Sequence, residues 1–212
     1  MKHPLTLALA AALAGATALP ALAQTPANES AVSQTTEAKQ ANPFFNESTL
    51  PLRYPHFDRV DDADFAPAFD AGMARNLEEV EAIANNPQPP TFDNTMIPLE
   101  EAGELLGRAT SVFFNLVGTD TNDARKKLQA DYAAKFAAHR DAIALNPKLY
   151  ARIKALHDKR DSLGLDAEGV RLIERYHTNF VRAGANRPEK DKTRLKVING
   201  ELAALGTKFS QN

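Results

Sequence analysis

Histidines are the side chains in this 212-residue sequence best suited to ligate a metal or move a proton: His3, His56, His139, His157 and His177. None is followed by Glu, and no two lie four residues apart, so the His-Glu-x-x-His pattern of a zinc peptidase helix is absent from the chain. A mononuclear zinc site needs three converging ligands. His139, His157 and His177 fall on three different predicted helices, so tertiary structure decides whether they meet; their spacing reads as histidines at the surface or at the edge of the core. There are no cysteines, which rules out disulfides, thiolate zinc sites and a cysteine nucleophile. No Gly-x-Ser-x-Gly elbow and no glycine-rich phosphate loop occurs. The expectation is therefore that the chain holds no catalytic residue, no cofactor-binding residue and no metal ligand.

The remaining charge clusters read as solvated helix faces. Glu78, Glu79 and Glu81 form one. Glu100, Glu101 and Glu104 form another, close to a helix start where the dipole favours them. Arg125, Lys126 and Lys127 form a short basic group, also read as solvated. A net charge of −2, a pI near 6.2 and the lack of a basic face argue against nucleic acid as a partner.

The elements that would carry these side chains are helices. Phe65, Phe69, Met73, Leu77, Val80 and Ala84 recur at three- and four-residue steps, with Asp61 or Asp62 as cap and the prolines after Asn86 as the stop. A second helix is predicted to begin near Asn94 or Thr95 and to run unbroken through Leu99, Ala102, Leu106, Ala109, Phe113 and Leu116. A third carries Leu128, Tyr132, Phe136 and Ile143. Asn146-Pro147 caps the fourth, with Leu149, Ile153 and Leu156. Asp166 caps the fifth, with Val170, Ile173, Phe180 and Val181, and Gly184 closes it. The last presents Leu195, Ile198, Leu202, Leu205 and Phe209 and is still in phase at Asn212. No strand pattern of useful length appears. The predicted fold class is all-α, built from antiparallel helix pairs.

Residues 1–23 read as a secretory leader. Lys2 precedes an apolar run from Leu5 to Leu19, and Ala21-Leu22-Ala23 offers a small-x-small cleavage site. The run is short of the roughly 20 residues of a membrane span, so no membrane span is expected and the destination is periplasmic or secreted. Residues 24–41, rich in Thr, Ser, Gln, Asn and Ala, read as a disordered linker, and residues 42–212 as the helical region.

Several segments of that region resemble one family. Asn42-Pro43-Phe44-Phe45 and Pro55-His56-Phe57-Asp58 are similar to the opening of peptidyl-dipeptidases. So are Phe65-Ala66-Pro67-Ala68-Phe69, Pro90-Thr91-Phe92-Asp93-Asn94-Thr95, Val112-Phe113-Phe114-Asn115-Leu116 and the stretch from Ile198 to Asn212. In order, and spanning Asn42 to Asn212, these resemble the N-terminal part of a peptidyl-dipeptidase (dipeptidyl carboxypeptidase) of the thimet oligopeptidase family of zinc metallopeptidases. The resemblance implies a helical wall of a channel-type peptidase, truncated before the catalytic half. It further implies that zinc, held by a His-Glu-x-x-His helix and a later Glu, belongs to the full-length family and not to this chain. Its implied partners are short peptides, met through the full-length enzyme, and the missing catalytic half. The other reading is a stand-alone periplasmic helical protein that binds peptides or plays a structural role.

Overall fold

The computed structural model describes residues 41–211, and every structural statement below concerns those residues. The leader, its cut after Ala23, His3 and all but the last residue of the predicted linker lie outside them.

Asn42 opens the described region by capping a short turn. Its Oδ1 accepts from the Phe44 N–H at 3.0 Å and its Nδ2 donates to Asp64 O at 2.7 Å. Three such turns, Pro43–Phe45, Pro51–Arg53 and Phe57–Arg59, make a strap ahead of the helices. The helices are α1 (Asp62–Ala84), α2 (Ile97–Glu101), α3 (Glu104–Thr119), α4 (Asp123–Ala144), α5 (Pro147–Lys159), α6 (Ala167–Ala183) and α7 (Glu189–Ser210). No strand occurs among the described residues, so the chain is all-α, as its periodicity predicts.

Local chemistry sets most boundaries. Asn146 Oδ1 accepts from the Lys148 and Leu149 N–H groups at 3.0 and 3.1 Å, with Pro147 at the first helical position. Asp166 Oδ1 accepts from Gly169 N–H at 2.8 Å. Gly184 ends α6 with φ 99°, a left-handed conformation that costs a glycine little.

The predicted second helix is not continuous. A π-helical turn over Phe92–Met96 leads into α2, the chain breaks at Ala102-Gly103, and α3 restarts at Glu104. Gly103 has φ 84°. Its N–H donates to Glu79 Oε2 at 2.7 Å, and a Cβ there would lie 2.9 Å from Asn76 Nδ2. The break therefore comes from α1, whose side chains hold Gly103 in a conformation that other residues resist. Glu79 is thus tied to the start of α3 rather than simply solvated.

Two cores flank α1. At its N-terminal half, Phe44, Phe65, Phe69, Phe113 and Tyr132 pack with ring centroids 5.1–5.3 Å apart in pairs such as Phe65–Phe113 and Phe69–Tyr132. At its C-terminal half, Val80 and Ile83 join Met96, Leu99, Leu149, Ile153, Leu156, Ile173 and Phe180. Between the two, the buried line of α1 runs through Gly72 and Asn76, while Met73 and Leu77 of the predicted stripe are half-buried. The cause is close approach: a Cβ on Gly72 would sit 2.9 Å from the Leu106 backbone of α3.

The predicted stripe of α7 does not become core. α7 runs antiparallel along α4 and is fastened by polar side chains. Lys192 Nζ lies 3.4 Å from Leu145 O, Asn199 Nδ2 donates to Asp141 Oδ1 at 2.8 Å, and Gln211 Nε2 donates to Lys126 O at 2.8 Å. Leu195 and Ile198 are half-buried, but Leu202, Leu205 and Phe209 are 60, 64 and 82% exposed. Past Asn199 the helix is turned so that Ala203 and Thr207, not Leu202, Leu205 and Phe209, lie on the sheltered side.

Candidate functional site

The histidines separate into three places. His56 lies in the strap, its Nδ1 3.7 Å from Asp58 Oδ1. His139, on α4, has its Nε2 buried without a partner, and burial lowers its pKa against an opposing pull from the Met73 backbone. His157 of α5 and His177 of α6 stack face to face, with centroids 3.9 Å apart and planes 14° from parallel. Tyr150 stacks on His177 as well, at 5.9 Å. Burial first, and then the His157 charge, lower the His177 pKa. Near-parallel rings do not aim their nitrogens at one point. Among the described residues no three His, Cys, Asp or Glu side chains are grouped to hold a metal ion.

The acidic and basic clusters are less idle than their sequence suggests. Glu100 accepts from the Tyr176 hydroxyl, and burial together with this carboxylate pushes the Tyr176 pKa up. Arg125, read as solvated, is largely covered: its Nε lies 2.6 Å from Asp62 Oδ1, and it also bonds the Asp120 carbonyl. Lys127 is exposed, paired with Asp131 at 2.7 Å.

The most connected polar side chain is Arg152, which the sequence did not single out. Buried on α5, it donates to Asn86 O at 2.9 Å, Gln88 O at 3.0 Å, Asn94 Oδ1 at 2.7 Å and Thr95 Oγ1 at 3.0 Å. Burial lowers its pKa, and every hydrogen-bond acceptor it uses is neutral. The guanidinium thus fixes the proline-rich link between α1 and α2. Thr91 and Asn94 complete that link reciprocally, at 2.8 and 3.1 Å. Its partners lie 57 to 66 residues away, so no local signal marked this hub.

A cavity of about 280 Å³ opens between the strap and α3. Pro43, Phe44, Pro55, Val60 and Val112 supply apolar walls, and Arg53, His56, Arg108 and Ser111 the polar points.

With this architecture in place, similarity to known proteins becomes informative. No family model matches the chain. Over 170 residues, 80% of this chain, it is 47% identical to dipeptidyl carboxypeptidase of Escherichia coli (strain K12) and 46% identical to that of Salmonella typhimurium. The chain is homologous to the N-terminal part of a thimet oligopeptidase-family enzyme. Oligopeptidase A of Escherichia coli is similar at a greater distance, 21% identical over 167 residues. The chain spans about a quarter of the length of these relatives, 25% in each case. In the thimet oligopeptidase-like chain, then, α1–α7 and the strap are the part whose structure is described.

Proposed function

We propose that the chain is the N-terminal, non-catalytic segment of a secreted zinc metallopeptidase that removes dipeptides from the C-termini of short peptides. The observation that carries this reading is the 47% identity to a dipeptidyl carboxypeptidase across four-fifths of the chain. In this reading the helices keep the place of the matching quarter of that relative and form one wall of a peptide channel.

The donor set here does not fit zinc, because the described histidines are dispersed or stacked in parallel. In this reading the metal belongs to the remainder of the enzyme, and the segment alone does not hydrolyse peptides. The exposed apolar stripe of α7 supports a covered role: Leu202, Leu205 and Phe209 form a line that a larger body would shield from water. Secretion is supported by the leader pattern of residues 1–23, and no described helix is long and apolar enough to cross a membrane.

The test is the mass of the native product, detected with an antibody raised against residues 61–183. A band several times larger than 23.1 kDa supports the reading. A band near the mass of the chain without its leader overturns it in favour of a stand-alone peptide-binding protein. N-terminal sequencing of the periplasmic fraction tests the leader, with Gln24 expected as the first residue.

A further inference from the structure

The cavity between the strap and α3 combines three features that packing alone leaves unexplained. The first is its charge. Arg53, His56 and Arg108 line it, and no acidic residue does. Each has a carboxylate neighbour: Glu47 pairs with Arg53 at 2.7 Å in water, the two being 45 and 70% exposed, while Asp58 and Glu104, 74 and 64% exposed, stand 3.7 and 3.6 Å from the more sheltered His56 and Arg108, 18 and 29% exposed.

The second feature is Arg108 itself. Its Nη2 donates to Phe44 O at 3.3 Å and its Nη1 lies 3.6 Å from Glu104, while its Nε is buried with no partner. A buried donor without an acceptor is costly, and it is rare in native folds.

The third is Gly107. It lies inside α3, where glycine weakens a helix. It has no left-handed φ, and a Cβ there would meet nothing within 4 Å. Neither conformation nor close packing asks for glycine at this position. It leaves the cavity floor open.

The strap carries strain at the same place. Leu52 and Arg53 have φ of 58° and 56°, a region non-glycine residues seldom occupy, and Arg53 is brought to the cavity by that turn. Phe44, Val60 and Val112 line the same cavity and give it an apolar wall.

We propose that this cavity is a binding site for a small carboxylate with an apolar body, the carboxylate held by Arg108 with Arg53 and His56, and the body lying against Phe44, Val60 and Val112. A carboxylate oxygen supplies a charge-assisted acceptor to the Arg108 guanidinium, whose Nη1 has its Glu104 neighbour only at 3.6 Å. The cavity volume suits a ligand of one aromatic ring and a few further atoms. The site does not depend on the peptidase reading, since it is built from this chain alone.

The test is titration of the isotopically labelled chain with N-acetyl-phenylalanine, followed by amide NMR. Saturable shifts confined to the strap and the first two turns of α3 are expected. The uncharged N-acetyl-phenylalaninamide should bind roughly tenfold more weakly or worse, because it cannot form the charge-assisted pair. Gly107→Phe fills the floor and Arg108→Met removes the guanidinium. Each should weaken binding by roughly tenfold or more, the scale of losing one strong polar contact. Gly107→Ala should raise the melting midpoint and bind almost as the parent does. A tripeptide ending in phenylalanine separates two sources of the same chemistry. Binding tighter than the free acid marks a peptide chain end, and exclusion marks a free organic acid. Equal binding of acid and amide, shifts that map elsewhere, or a folded Gly107→Phe that binds like the parent would overturn the proposal. The acid–amide comparison needs no variant, so it decides the matter even if Arg108→Met fails to fold.

Discussion

α6 and α7 both repeat apolar side chains at helical steps, yet they meet opposite environments. On α6, Ile173 and Phe180 are buried against Leu149, Ile153 and Leu156 of α5 and join the core under α1 and α2. On α7, Leu202, Leu205 and Phe209 face water, and the helix is held to α4 by Lys192, Asn199 and Gln211. A helix with an apolar stripe buries it where a neighbour offers an apolar groove. The C-terminal stretch of α4 instead offers a buried Asp141 and the last carbonyls of the helix, and these select polar partners from α7. Lys192 is well placed there, since a cation near a helix C-terminus is favoured by the dipole.

The comparison breaks most sharply by substitution in the α5–α6 core. Ile173→Ala, at a fully buried position, should cost about 3 kcal/mol, the range of large-to-small core changes. Urea denaturation of the 212-residue chain reads this directly, and an unchanged midpoint would mean that α6 is not docked as described.

Arg152→Met should come next. It leaves the Asn86 and Gln88 carbonyls and the Thr95 hydroxyl without their donor, at a cost of about 2–3 kcal/mol. Faster amide exchange should be confined to the link between α1 and α2, while α7 keeps its protection.

A smaller effect should follow pH. The His177 pKa is held below its ordinary 6.5 by burial and by His157. The folded chain therefore takes up its proton later than the unfolded chain as the medium is acidified. Stability is fully present above 6.5 and is lost as pH falls from there towards the folded-state value. The urea midpoint should decline as the pH falls below 6.5, and His177→Gln should flatten that decline. His139, lowered by burial, contributes with the same sign, so the flattening is partial.

The smallest effect is expected on α7. Leu205→Ser should change stability by no more than about 0.5 kcal/mol, as at other exposed sites. The same substitution should reduce self-association at high concentration, which analytical ultracentrifugation can follow. A loss comparable with that of Ile173→Ala would show that the stripe is covered within the chain itself.

Much of the helix map was legible because helix ends are local events. Asn146-Pro147, Asp166 and Gly184 act on residues within one turn, so their types are enough to place the boundaries. The break at Gly103 was not legible, because its cause is Glu79 and Asn76, some 24 residues earlier in the case of Glu79. The same holds for the polar network. Arg152 has partners 57 to 66 residues away, and Arg125 pairs with Asp62, 63 residues back. Of the histidines, the sequence could place His157 and His177 on neighbouring helices. It could not show that they stack, since that depends on the rotation of α5 against α6. The strap cavity had a faint sign in Gly107, a glycine inside an otherwise ordinary helix, which gained meaning when open space was found beside it.

By itself the sequence determined an all-α chain with helix ends set by proline, asparagine, aspartate and glycine, and it carried the motifs that match the N-terminal part of a peptidyl-dipeptidase. Those properties rest on residue type and short spacing. Tertiary structure alone decided which face of α7 meets water, where the second helix breaks, what Arg152 holds and how an open cavity came to be lined by three potential cations. Each depends on the relative placement of helices far apart in sequence, and a local pattern carries no information about the rotation of one helix against another.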